Sequence, residues 1–296
     1  MHNLRLFNYR KGGHDALGLR SGERLFDVAA LAQIAKLKVP TSVEDLLVAD
    51  DLGGLQSLAD KAGKLSSAAA QLDEHDLEFA PCVTRPGKII GIGLNYRQHA
   101  AEVNMDLPTE PVMFAKFPSS LLGHRGTIRL PTNVDHMFDY EAELVAVIGR
   151  PAHQVSPEQA WDHIFGYCVG NDFSARGLQF RTTQFTLGKT SDGFAPIGPD
   201  LVPAACVPDP HALKIECRVN GEVRQSSNTG DMVFNCGELV SYLSQVMTLM
   251  PGDLIFTGTP EGVTAGRPEA ERVWLKAGDR IETSIDSLGT LEFDLA

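Results

Sequence analysis

Asp139-Tyr140-Glu141-Ala142-Glu143-Leu144-Val145-Ala146-Val147-Ile148-Gly149, with the apolar run Phe165-Gly166-Tyr167-Cys168-Val169-Gly170 that delivers Asn171-Asp172, is the stretch on which the reading of this chain turns. A strand over 140–148 has a side-chain period of two. It puts Glu141, Glu143, Val145 and Val147 on one face and Tyr140, Ala142, Leu144, Ala146 and Ile148 on the other. A solvated face would carry polar residues at 145 and 147, yet both are Val. Like charges side by side in such a setting are unfavourable unless a positive charge lies between them or one group stays protonated. A divalent cation is the simplest such charge. Asp172, 29 residues beyond Glu143, ends the next apolar run and offers a third oxygen ligand. Three carboxylates without His or Cys suit a hard ion, Mg2+ or Mn2+, with octahedral positions left for water or substrate.

The 296 residues suffice for one large domain and a small one, and 43% hydrophobic with 22% charged residues is ordinary for a soluble globular protein. No apolar run approaches the roughly 18 residues of a membrane span. The start, Met1-His2-Asn3-Leu4-Arg5-Leu6-Phe7, lacks an apolar segment behind a basic one, so the expectation is a cytoplasmic protein without membrane association. Cys82, Cys168, Cys206, Cys217 and Cys236 are scattered and form no Cys-x-x-Cys pair, which favours reduced thiols. A net charge of −12 without a basic tract argues against nucleic acid and anionic membranes as partners. An anionic ligand must then be held locally, by a metal or by a few placed Lys and Arg residues.

Outward from the carboxylates, residues 1–80 read as a small unit. Strands over 4–7, 16–19 and 24–28 are split by Lys11-Gly12-Gly13 and Ser21-Gly22, and helices follow over 29–36, 43–47 and 55–70. Without a convergent polar cluster, this unit reads as structural or dimer-supporting. A punctuated linker at 81–87 leads to a second unit over 86–296. There a strand over 88–94 opens into Asn95-Tyr96-Arg97-Gln98-His99-Ala100-Ala101-Glu102, which sets His99 and Glu102 at i and i+3 on a helical turn. A carboxylate beside an imidazole makes a general base, and the same spacing also describes an exposed helix pair. Lys116 shares a strand face with Val112 and Phe114, as a site cation or as a stem that snorkels to water. His124 and His136 lie in loops and are assigned no ligand role.

Ser156-Pro157-Glu158-Gln159 is a capping-box helix start. After Asp172, Arg176, Gln179 and Lys189 are donors able to clamp a substrate carboxylate. Asn220-Gly221 marks a hairpin. Asn235 caps a helix with Leu239, Tyr242, Leu243 and Val246 at i, i+3, i+4 and i+7. Gly258-Thr259-Pro260 is either a plain turn or a place where backbone and hydroxyl approach an anion.

The ordered set Asn95-Tyr96-x-x-His99-x-x-Glu102, Asp139-Tyr140-Glu141-x-Glu143-Leu144, Gly166-Tyr167-x-x-x-Asn171-Asp172-x-Ser174-Ala175-Arg176-x-x-Gln179, Gly188-Lys189 and Thr257-Gly258-Thr259-Pro260-x-Gly262-Val263 resembles the fumarylacetoacetate hydrolase superfamily. The resemblance implies an α+β, mainly β fold: a mixed β-roll catalytic domain over 86–296 behind a small N-terminal α+β domain over 1–80, usually as a homodimer. It matches Glu141, Glu143 and Asp172 to Mg2+ or Mn2+ ligands, and His99 and Glu102 to a water-activating dyad on a lid. Arg176, Gln179, Lys189 and Thr259 match residues that hold the keto-acid end, with Lys189 also stabilising an oxyanion, and Lys116 is grouped with the substrate contacts. Gly177 departs from the acidic residue that many members carry there.

The function so implied is metal-dependent hydrolysis of a carbon–carbon bond in an acylpyruvate or 2,4-diketo acid, through a metal-bound pyruvate enolate. Oxaloacetate decarboxylation and 2-hydroxy-dienoate isomerisation use the same intermediate and stand as alternatives. A non-catalytic metal- or metabolite-binding protein on the same scaffold is the alternative of another class.

Overall fold

The computed structural model describes residues 3–49, 51–62 and 68–296. The chain begins with three antiparallel strands, β1 (Arg5–Lys11), β2 (His14–Ser21) and β3 (Arg24–Asp27), followed by helices α1 (Val28–Ala35), α2 (Val43–Ala49) and α3 (Leu52–Ala62). The helix expected over 55–70 is realised as α3. Residues 63–67 lie outside the described residues, and a 3-10 turn at Ala68–Ala70 precedes β4 (Gln71–Leu72).

Asp27 starts α1 as its N-cap. It accepts the Ala30 N–H at 2.8 Å and the Tyr9 hydroxyl at 2.7 Å, and pairs with Lys11. Burial works to raise this carboxyl, but Lys11, the Ala30 N–H and the Tyr9 hydroxyl outweigh it and hold it below its ordinary value. A folded value below the unfolded one, about 3.9, gives stability that is complete above that pH and lost as acid titrates through the folded value. Asp27→Ala should therefore lower stability by about 1–2 kcal/mol at pH 7. The deficit should shrink under acid; equal deficits by urea denaturation at pH 7 and near pH 3 would refute the ionic part.

Beyond the linker run β5 (Ile89–Gly93), α4 (Arg97–Glu102), β6 (Val112–Lys116), β7 (Leu121–Leu122), β8 (Gly126–Ile128), β9 (Phe138–Asp139) and β10 (Ala142–Ile148). Then come α5 (Pro157–Ala160), β11 (Ile164–Asn171), β12 (Ser174–Ala175), α6 (Arg176–Gln179), α7 (Thr186–Lys189) and β13 (Ala195–Pro203). The last part holds β14 (Lys214–Val219), β15 (Glu222–Asn228), α8 (Cys236–Ser244), β16 (Leu254–Phe256), β17 (Arg280–Ile285) and β18 (Gly289–Leu295).

The main sheet runs β4-β3-β2-β1-β13-β11-β10-β16-β5-β6, with β7 beside β13, and a second sheet runs β15-β14-β17-β18-β8. The N-terminal strands join the first sheet through the antiparallel pair β1/β13, Leu6 opposite Leu201. Arg5 and Arg20 close on the fully buried Asp200 of β13 at 2.7 and 3.0 Å, so ion pairs reinforce that joint. We propose the division at 80–86 as one of sequence and role; the sheet is continuous across it.

β10 and β11 form the central antiparallel pair, and every residue of both is buried. The period of two on β10 holds: Val145 and Val147 pack into the core shared with α1, α2 and α3, while Ala142, Leu144, Ala146 and Ile148 pack into the core between the two sheets. The strand begins at Ala142 rather than at 140, where side-chain oxygens of Asp139, Asn171 and Gln225 take the N–H groups of residues 140, 141 and 142. The Glu141 N–H donates to Asn171 Oδ1 at 3.1 Å, and its C=O accepts the Asp172 N–H at 2.9 Å.

The capping box at Ser156 forms, Asn235 caps α8 and makes a capping box with Glu238, and the Asn220-Gly221 turn closes the β14/β15 hairpin. The apolar stripe read on α8 needs correction. The helix ends at Ser244, so Val246 falls beyond it and is exposed, and Tyr242 turns outward with its hydroxyl on Glu110. The buried face is Cys236, Leu239, Val240 and Leu243.

Candidate metal centre and active site

Glu141, Glu143 and Asp172 come together at one end of the β10/β11 pair. One oxygen of each lies within 4.8 Å of the others, and all three residues are buried. Each has a different escort. Glu141 is held by Arg176 at 2.7 Å and Lys189 at 2.6 Å, and Asp172 by Lys189 at 2.9 Å and by Lys116. Glu143 receives the Gly258 N–H at 2.8 Å and, among the described residues, no Lys or Arg lies within salt-bridge reach.

The electrostatics follow from that division. Burial works to raise Glu141, but Lys189 and Arg176 outweigh it and hold the carboxyl well below the usual range. Burial, with Asp172 and Glu141 alongside, pushes Glu143 well above it. Burial disfavours the Lys189 ammonium, yet Asp172 and Glu141 overcome it and hold the charge in place. A buried carboxylate without a cation, beside two others that converge on it, is a site one positive charge short. The donor set is all oxygen, so a hard divalent ion of the Mg2+ or Mn2+ type fits it.

A cavity of about 160 Å³ opens onto this cluster. Its polar wall is Glu141, Glu143, Arg176, Gln179, Lys189, Thr259 and His99; facing it are apolar residues that include Leu94, Met105, Phe114, Phe180 and Phe185. His99, carried by α4, is 9% exposed, and its Nδ1 lies 3.2 Å from Glu102 Oε2. Glu102 Oε1 accepts the Gly262 N–H at 2.9 Å, which ties α4 to the loop after β16. The spacing therefore makes an inward-facing pair, not an exposed one.

Lys116 neither snorkels nor reaches the cavity wall. It lies 2% exposed behind the cluster, against Asp172 and the Lys189 carbonyl, where burial lowers its pKa. Arg176 is anchored on both sides: Nε donates to Asp139 Oδ2 at 2.9 Å and Nη1 to Gln179 Oε1 at 2.9 Å. The Thr259 hydroxyl donates to the Ala142 carbonyl at 2.9 Å and accepts from Gln225 Nε2 at 2.9 Å. α7, which carries Lys189, packs so tightly on α6 that a Cβ at Gly188 would lie 2.5 Å from the Gln179 nitrogen.

Sequence reasoning assigned no role to two buried organisers. Asp139 accepts the Thr264 and Ala265 N–H groups, each at 2.9 Å, as well as Arg176. Its position just before Tyr-Glu-x-Glu was the available signal. Gln225 accepts the Ala142 N–H at 2.9 Å and donates to Thr259 and Pro260; nothing around it in β15 marks it.

Comparison with known proteins identifies the chain's relatives. The pattern of the fumarylacetoacetate (FAA) hydrolase C-terminal family matches residues 88–296. The oxaloacetate tautomerase YisK of Bacillus subtilis is 45% identical over 212 residues, covering 71% of this chain and 70% of that protein. The crystal structure of fumarylpyruvate hydrolase from Pseudomonas aeruginosa, in complex with Mn2+ and pyruvate, superposes with a TM-score of 0.65 at 35% identity, covering 74% of this chain and 91% of that one. A fumarylacetoacetate hydrolase from Exiguobacterium antarcticum superposes over 99% of both chains with a TM-score of 0.79 at 30% identity. Among the described residues no helix is long and apolar enough to cross a membrane. The chain belongs to the fumarylacetoacetate hydrolase family.

Proposed function

We propose that the protein is a metal-dependent enzyme that interconverts the keto and enol forms of oxaloacetate or a 2-oxo acid of similar size. The observation that carries this reading is the cavity itself. At about 160 Å³ it is smaller than an ordinary ligand pocket, roughly 300–1,000 Å³, and His99 lines it together with Glu141 and Glu143 of the carboxylate cluster. The 45% identical relative named as an oxaloacetate tautomerase supports the same choice.

A divalent cation held by Glu141, Glu143 and Asp172 would supply a Lewis acid for the carboxylate and 2-oxo oxygens of the acid. Arg176 and Gln179 bind and orient the acid. His99 takes the proton from carbon three of the keto form and delivers a proton to the 2-oxygen to give the enol; the reverse step uses the same group. Glu102 holds the ring in place for that transfer. Lys189, fixed between Glu141 and Asp172, offsets negative charge as it grows on the 2-oxygen. The apolar wall keeps bulk water away from the exchanging proton.

Hydrolysis of an acylpyruvate is the second reading, favoured by that same wall. Phe114, Phe180 and Phe185 suit an uncharged acyl group, and the similar fumarylpyruvate hydrolase holds Mn2+ and pyruvate. Following enol absorbance of oxaloacetate, CO2 release and acetylpyruvate cleavage in parallel, each with Mn2+ or EDTA, separates the two readings and the decarboxylase. His99→Asn should lower kcat for enol–keto exchange by roughly 10²–10⁴ with Mn2+ affinity unchanged. Wild-type exchange in that variant would remove His99 from the mechanism. Failure of every substrate to turn over in the native protein would leave the non-catalytic reading.

A further inference from the structure

α6 carries Arg176 and Gln179, and it has no cap of its own: the residue at its N-cap is Ala175. The cap comes from 43 residues upstream. Asp135 Oδ2 accepts the Leu178 N–H at 2.6 Å, while Oδ1 accepts the His136 and Met137 N–H groups at 2.7 and 2.9 Å. Asp135 is 6% exposed. Between these ends the two segments are laddered together. Ser174 pairs with Asp139, Ala175 with Phe138, and the Arg176 N–H donates to the Met137 carbonyl at 2.8 Å. The Asp135 side chain thus adds one rung to the β9/β12 ladder at the point where the chain turns into the helix.

Gly177 sits under that rung. A Cβ there would lie 2.7 Å from Asp135 Oδ1 and 2.8 Å from Oδ2, inside van der Waals contact and against a carboxylate. The departure at 177 therefore has a local cause, since residue 177 and the Asp135 carboxyl claim the same space. From the other side Gly188 presses on Gln179, so α6 is gripped on both flanks.

We propose that Asp135 is a positioning residue for Arg176 and Gln179, capping α6 across the chain, and that a side chain at 177 and the carboxylate at 135 exclude each other. That these two groups bind the acid rests on the function proposed above; the cap itself does not. The test uses the full-length protein loaded with Mn2+ and compares Asp135→Ala, Asp135→Asn, Gly177→Asp and the double variant Asp135→Gly with Gly177→Asp. Hydrogen exchange over 176–180 reads the cap without any ligand. Pyruvate titration and oxaloacetate kinetics read its effect on the acid site.

Asp135→Ala should speed exchange at 176–180 at least tenfold, weaken pyruvate about tenfold and raise KM more than it lowers kcat, with Asp135→Asn in between. Gly177→Asp should show the same losses, and the double variant should recover much of them, because one carboxylate again occupies the space. Unchanged exchange at 176–180 in Asp135→Ala, or losses in the double variant that simply add, would overturn the proposal. Should Asp135→Ala fail to fold, Asp135→Asn and the double variant decide on the same criteria. Faster exchange together with unchanged pyruvate affinity would keep the cap but refute its positioning of the acid site. Absence of oxaloacetate turnover in the native protein would count against the proposed reaction and leave the exchange test standing.

Discussion

Glu143→Ala will remove turnover by about three orders of magnitude or more while leaving the fold intact. Of the three converging carboxylates it is the one without a cationic partner among the described residues, so its charge is the one most dependent on a bound metal. Losing a ligand from a three-carboxylate site removes both affinity and the Lewis acid that polarises the 2-oxo group, worth several kcal/mol at the transition state. Stability should move the other way. Glu143→Gln keeps the shape and removes the cost that burial, Asp172 and Glu141 place on ionising this carboxyl, so in EDTA it should melt above the native protein. Mn2+ should then stabilise the native protein by about 2.7 kcal/mol at a hundred times its Kd and the variant far less. Melting curves of both, with EDTA and with Mn2+, check this; equal Mn2+ shifts would show that Glu143 is not a ligand.

Lys189→Met should be the costliest substitution among the donors. It leaves Glu141 with Arg176 alone and Asp172 with Lys116 alone, so the expected loss is about 3 kcal/mol, the lower end of the range for breaking a buried pair. Catalysis should fall roughly 10²–10³, the scale of losing one fixed donor to a developing oxyanion. The two effects separate under metal. Mn2+ brings positive charge to the same carboxylates and should return part of the lost stability, but it does not replace a donor aimed at the 2-oxygen. Denaturation midpoints and kcat with saturating Mn2+ test the pair of statements, and full recovery of kcat by metal would exclude the donor role.

Much of this site was legible before the fold. Glu141 and Glu143 stood out because Val145 and Val147 deny them a solvated face, and Asp172 because it ends an apolar run. The Ser156 capping box, the Asn235 cap and the Asn220-Gly221 turn were local patterns with local causes, and they formed. What escaped were relations set by tertiary contact. A lysine's sequence cannot say whether it lines a cavity or stands behind it, and Lys116 stands behind. Arg176 reads in sequence as a donor able to hold an acid, and only the fold shows Asp139 and Glu141 fixing its guanidinium. Gln225 is an ordinary strand residue until Ala142 and Thr259 arrive at its amide. The pairing of Leu6 with Leu201 spans most of the chain, and no local periodicity encodes it.

That joint between β1 and β13 gives the first part of the chain a protective office. Shorn of it, β13 would present a row of open N–H and C=O groups, the kind of edge along which chains add to one another. Asp200, fully buried, would at the same time lose both of its arginines. The N-terminal strands would thus act as a selvage, finishing the border of the sheet so that it neither frays nor knits itself to a neighbour.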